Sequence, residues 1–481
     1  MWDTDNMYLN GPYTPWRQEG VAFDLEIEGE LPSELSGALF MTSASSLYQP
    51  IDPNRHHWFD GDGMVYGIYL REGRATFRNR YVATAGLKLE MQEGRAVFGG
   101  LMNGMTNPVP PPAGGPFLKN PANTNVALFD DRLLVFAEVD VPHELRPDNL
   151  ETVNERYDFK GAVSGPVTAH FKVDPDNGDM LFFGAFGTEV TWYRADRHGN
   201  VLDTHKIDIG VPALLHDYVV TDDYAIFLVS PSMWRVENLM RGLPTAVWEP
   251  ETLEVTRFAV MHRRSGKVQW IDAPDTFMQT HFFNAYQEGS TVIIDGQRTD
   301  RFGMTADEIK NTPSDGDWNK WFREMRAAPW RWELNLETGG FSQKQLTDLL
   351  GEFPRINDQH AGRAHRFGYY ATTRDADRWL TDGLAKHDFL ADRTELKTIP
   401  GLTAPNEPVF VPREGAISED DGWVLTTWYD AAHDRSEVVV QSAQDFTGTP
   451  VARIKLNHRM PLGFHGNWAP GAELDAAISN G

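Results

Sequence analysis

The chain has 481 residues, a formal charge of −25 and no cysteine, with 41% hydrophobic and 23% charged residues. That charge argues against nucleic acid or an anionic membrane as a partner, because both need clustered Lys and Arg. The missing cysteines exclude disulfides, thiolate metal sites and cysteine nucleophiles, so any metal must be held by His, Asp or Glu.

No run of 18 apolar residues occurs, so no spanning helix is expected. The first twenty residues lack the basic and apolar regions of a signal peptide, which makes the cytoplasm the expected location. Along the chain the dominant local pattern is two β-rich runs joined by a short polar turn. In order these are 64–70 with 74–82, 125–129 with 132–139, 169–173 with 180–186, and 191–195 with 201–207. They continue as 218–220 with 224–229, 257–261 with 268–272, 282–286 with 290–295, 331–335 with 341–346, and 423–430 with 437–443. Helices are expected only over about 304–326, where WNKWFREMRA is amphipathic, and about 374–389. The proline-rich stretch 106–116 reads as a surface loop, and DGDG at 60–63 as turn chemistry without the Glu of a calcium-binding EF-hand loop. Strand–turn–strand units spread over most of the chain favour a closed radial array, which leaves few exposed edges. Residues 1–481 read as one all-β domain.

Of the 15 histidines, His198, His205, His262, His387, His433 and His458 sit in or beside polar turns and read as structural. His170, His216, His281 and His465 differ, each lying at an end of a strand-like run: TAHFKVD, LLHDYVV, THFFNAY and GFHGNWAP. Strand ends facing the axis of a radial array can bring such distant residues onto one metal. No HExxH helix pair is present. Four neutral imidazoles suit Fe(II), Cu or Zn by softness alone. The competing reading is four core histidines bonded to backbone carbonyls.

Eight stretches decide between these. WFDGDGMVYG (58–67), NPANTNVALFDDRLLVFAE (120–138), GPVTAHFKVDPDNGDM (165–180), LLHDYVVTDDYAIF (214–227), HFFNAYQEG (281–289), EFPRIN (352–357), NEPVFVPREGAISEDDGWVL (406–425) and GFHGNW (463–468) resemble the carotenoid cleavage oxygenases, in the same order and over most of the chain. The resemblance implies a seven-bladed β-propeller with a helical and loop cap over the metal-binding face. It also implies Fe(II) bound by His170, His216, His281 and His465, with O2 as co-substrate. Three glutamates would support the ligands, Glu138 with His216, Glu352 with His281 and Glu407 with His465. Such a carboxylate fixes the tautomer of a ligating imidazole and raises its basicity. Thr124 matches a threonine whose methyl group restricts one open position on the iron.

Residues 247–274 look closest to the bacterial lignostilbene and isoeugenol oxygenases. That branch anchors a phenol hydroxyl with a Tyr and a Lys, whose places here fall to Met105 and Ala137. The implied reaction is O2-dependent cleavage of a conjugated C=C bond into two carbonyl products, in a small hydrophobic stilbene or propenylphenol. An apocarotenoid substrate is the alternative. Two other classes compete with this one. Ser418–Gly422 partly matches the S-x-D-x-G core of a sialidase box, but it occurs once and lacks the following Thr-Trp, so it reads as a β-turn. A non-catalytic propeller scaffold predicts no buried metal.

Overall fold

The computed structural model describes Trp2 and residues 4–102, 118–374 and 380–480, and these carry eight β-sheets, seven of four to six strands and one of three. Met105 and the stretch 106–116 lie outside the described residues.

Every hairpin expected from the sequence is present as an antiparallel pair. Local turn chemistry accounts for this. Asp130 and Asp131 join Asn125–Phe129 to Arg132–Phe136 with both φ values positive, at 53° and 57°. Two such residues make the turn that matches the twist of paired strands. Arg74–Tyr81 then alternates exposed or half-buried with buried residues, whereas Gly37–Ala44 is buried throughout.

The seven larger sheets pack face to face in chain order. The sheet of Gly63–Arg71 meets that of Asn125–Phe129 through Val65, Val126 and Val135. The next seams run through Phe136 and Phe182, through Trp192 and Phe227, and through Phe258 and Ile294. Phe283 and Tyr370 form the following one, and Tyr369 and Phe410 the sixth. Leu425, Val438 and Leu70 return the last sheet to the first, so the array is a closed β-propeller. Each fully buried Leu, Ile, Val or Phe in these seams contributes roughly 1.5–3 kcal/mol. Backbone pairing closes the ring as well. Strand Gly463–Pro470 pairs with Gly37–Ala44, and Glu26–Gly29 pairs with Ala452–Lys455.

The helical expectations need correction. Within 304–326 only Ala306–Asn311 and Lys320–Arg323 are α-helical. Pro313 and Gly316 break the run between them. Trp321 and Phe322 are instead fixed by burial in an aromatic cluster that also holds Tyr8, Trp58, Phe302 and Phe464. Met304–Thr305 pairs in parallel with Ala246–Trp248, part of the three-stranded sheet. The second expected helix contains Gly383–Asp388, a strand buried at all six positions between Phe367–Thr373 and Arg393–Lys397. Leu, Ala and Lys favour helix locally, but the two flanking strands override that preference. Two helices were not expected: Ala85–Glu93, capped by the Thr84 side chain, and Gly471–Asn480. Among the described residues no helix is long and apolar enough to cross a membrane.

Candidate metal centre

His170 lies two residues before the start of Lys172–Val173, and His216 lies shortly before Val219–Val220. His281 is within Met278–Glu288 and His465 within Gly463–Pro470. Each of these strands is the edge strand of its own sheet. The edges converge, so four residues far apart in sequence meet.

Irregular pairing aims the side chains. The ladder beside His281 shifts register between Gln279 and Phe282 and again before Asn284. A further shift lies between Glu352 and Arg355. Another lies between Met41 and Ser43, opposite His465. Bulges re-aim side chains in this way beside functional sites. At His465 the strands also approach closely. A Cβ on Gly463 would meet the Thr42 carbonyl oxygen at 1.8 Å, and one on Gly466 the Phe40 carbonyl oxygen at 2.5 Å. Phe353 holds a left-handed φ of 59° while its ring packs on His281 and His465, with centroids 5.7 and 5.5 Å apart. A side chain in that region costs about 1–3 kcal/mol and persists only where its surroundings enforce it.

The four histidines place one ligand nitrogen each within 4.8 Å of one another. Nε2 of His216 lies 3.1 Å from Nε2 of His170 and 3.0 Å from Nε2 of His281. On the other side of the rings, Nδ1 of His216 donates to Glu138 at 2.9 Å and Nδ1 of His281 to Glu352 at 2.6 Å. Nδ1 of His465 donates to Glu407 at 2.9 Å. Carboxylates accept, so the ring proton sits on Nδ1 and the lone pair of Nε2 points inward. Lone pairs facing one another at 3 Å repel unless a cation lies between them. This donor set therefore fits a metal ion, and it does not fit core histidines bonded to carbonyls.

Burial, reinforced by the neighbouring imidazoles, holds His170 well below the usual imidazole range. Burial also lowers His465, with Glu407 partly opposing it. For His216 burial acts downward, but Glu138, joined by Asp217 and Glu352, turns the net direction up. Burial raises Glu407, yet Arg355 and His465 together bring it down to about 2, so it is a carboxylate at any working pH.

All three expected Glu–His pairs are thus formed. Thr124 is tied to the centre through its carbonyl, which accepts the His465 amide at 3.1 Å, and its hydroxyl donates to Asn123. Ala137 is buried beside Glu138. Sequence reasoning missed Arg355, whose Nη1 donates to Glu407 at 3.0 Å and to the Gly466 carbonyl at 2.8 Å. It also missed Phe353; both lie in the EFPRIN stretch beside Glu352, where their position was the available signal. The DGDG aspartates are structural: Asp60 accepts the His57 and Leu101 amides, and Asp62 pairs with Lys119. Ser418–Gly422 is a turn in which Glu419 accepts the Arg366 and Phe367 amides and Asp420 pairs with Lys386.

Comparison with known proteins agrees with this geometry. Residues 13–470 match the family model of retinal pigment epithelial membrane protein. The chain is 32% identical to isoeugenol monooxygenase of Pseudomonas putida, over 97% of this chain and 98% of that one. It is also 32% identical to resveratrol cleavage oxygenase 1 of Aspergillus fumigatus, over 98% and 97%. The crystal structure of Pseudomonas brassicacearum lignostilbene dioxygenase superposes with a TM-score of 0.87 at 29% identity, covering 97% of this chain and 99% of that one. With the match spanning all seven larger sheets and the four-histidine centre at their convergence, the chain belongs to the retinal pigment epithelial membrane protein family, the carotenoid cleavage oxygenases.

Proposed function

We propose that His170, His216, His281 and His465 hold Fe(II), and that the protein uses O2 to cleave the C=C bond of a stilbene or propenylphenol into two carbonyl products. The observation that carries this is the inward set of Nε2 lone pairs, each of three backed by a carboxylate on Nδ1. Neutral imidazoles leave the metal its full charge, and when bound it supplies O2 activation without a reductant. The reaction balances: two oxygen atoms enter, the C=C bond breaks, and each former alkene carbon becomes a carbonyl.

The protein's own residues position and shield. Glu138, Glu352 and Glu407 hold three rings in one orientation, while Phe353 covers two of them with an apolar face. Positioning one bond of the substrate and excluding water is the chief help such a site can give. Thr124, joined to His465 through the backbone, restricts an open metal position in this reading. Substrate class rests on residues 247–274 and on the aromatic alkenes named in the relatives above. Ala137 supplies no hydrogen bond to a phenol, and by motif alone the other anchor position falls to Met105, outside the described residues. The same reading takes residues 1–481 as one domain, which the interleaving of both chain ends in the ring supports, and takes the protein to act in the cytoplasm.

The test is aerobic incubation of Fe(II)-loaded protein with a panel of stilbenes, propenylphenols and apocarotenals, followed by product masses. Aromatic aldehydes from the first two classes are expected. Turnover of apocarotenals alone would replace the substrate class, and turnover of none would remove the proposal.

A further inference from the structure

His170 is the one ligand candidate without a glutamate on Nδ1. The nearest carboxylate is Asp217, whose Oδ1 lies 3.9 Å from that nitrogen. Asp217 is only 2% exposed. Its contacts reach three of the four ligand segments. Oδ1 accepts from Lys172 Nζ at 2.8 Å, two residues beyond His170, and from the Tyr218 amide at 2.7 Å, two beyond His216. Oδ2 accepts the Phe282 amide at 2.9 Å, the residue after His281. Its backbone carbonyl takes a further bond from Gln279 at 3.2 Å.

The Phe282 bond has a specific physical meaning. Phe282 sits between the two register shifts that turn His281 toward the centre. A bulge disrupts the ladder locally and leaves backbone groups in need of other partners. One carboxylate oxygen of Asp217 meets that need, and the other oxygen meets the only cation on the His170 segment. No glutamate of the centre joins ligand segments in this manner, since each contacts the ring of one histidine.

We propose that Asp217 is a positioning residue of the metal centre, bracing the His170, His216 and His281 segments at the spacing that the ion requires. This rests on the four-histidine reading above. Asn at this position keeps the shape but has one acceptor oxygen and turns an N–H₂ donor toward either Lys172 or the Phe282 amide. The brace then fails at one of its ends.

The test uses full-length wild type and Asp217→Asn, each loaded separately with Fe(II) and with Co(II). Chelator competition gives affinity, and the visible bands of Co(II) report the ligand geometry. Asp217→Asn should remain folded by circular dichroism, bind Fe(II) roughly 10–100-fold more weakly and show altered Co(II) bands. A role confined to folding would lower the melting temperature and leave the Co(II) spectrum of the folded protein unchanged; that result overturns the brace. Lys172→Met breaks one arm alone and should shift affinity in the same direction by less. Should Asp217→Asn fail to fold, wild-type affinity and spectrum in Lys172→Met overturn the proposal. Wild-type protein that binds neither ion would overturn the four-histidine reading and the brace with it, an outcome separable from loss in the variants alone.

Discussion

His281 faces two demands that a bound metal reconciles: its Nδ1 proton is held by Glu352 at 2.6 Å, and its Nε2 lone pair looks into that of His216 at 3.0 Å. Replacing His281 with Ala should abolish iron retention and turnover while leaving β-rich circular dichroism intact; full iron occupancy in that variant would refute the ligand assignment. Changing Glu138, Glu352 or Glu407 to Gln should lower metal affinity or activity roughly 10–100-fold, the usual cost of losing a ligand's carboxylate partner. Glu407 should show the largest effect, since it is buried and shared with Arg355 and the Gly466 amide, whereas the Glu138 side chain is 31% exposed. Three Gln variants with wild-type activity would show that these carboxylates do not support the ligands. At the substrate, Ala137 offers no hydrogen bond to a phenol. With no anchor to discriminate between them, 4-hydroxy and 4-methoxy forms of one alkene should react with similar kcat/KM. A hundredfold preference for the free phenol would place the anchor on another residue.

At the scale of elements, the strands that carry ligands are the least regular ones. Hairpins such as Asn125–Phe129 with Arg132–Phe136 were legible because the two Asp residues between them dictate the turn. The bulge at Glu352–Arg355 had a local mark that went unread, Pro354, which has no N–H for the ladder; the one at Phe282 was not legible, because its sequence leaves no such mark. For the same reason histidine spacing alone left the metal undecided, and the Glu–His pairs came from whole-chain resemblance. Gly383–Asp388 was misread as helix because its composition favours one and only its neighbours make it a strand. The glycines of GFHGNW do have a readable cause after the fact, since any side chain at 463 collides with Thr42. Gly463→Ala should therefore lower the thermal midpoint and weaken metal retention. Overpacking of this kind costs typically about 1–3 kcal/mol. An unchanged midpoint with full retention would mean that the two strands do not fix His465.

Across the whole molecule, the centre exists because the ring closes. His465 belongs to the last strand of the chain, yet that strand is hydrogen-bonded to Gly37–Ala44 in the first large sheet. The other ligands come from three successive sheets, so the geometry of the site reads out the geometry of the ring. Radial closure was expected from the recurrence of hairpins; the interleaving of the two ends was not, since pairing across more than 400 positions has no local trace. The aromatic cluster built from Tyr8, Trp58, Phe322 and Phe464 then covers the side on which Phe353 meets the histidines. That apolar covering suits the apolar alkene proposed as substrate. The most direct measurement of this account is the mass of the products formed by Fe(II)-loaded protein from an asymmetric stilbene under ¹⁸O₂. The account predicts two carbonyl products, each carrying one heavy oxygen; an intact alkene, or products that take neither oxygen from O2, would contradict it.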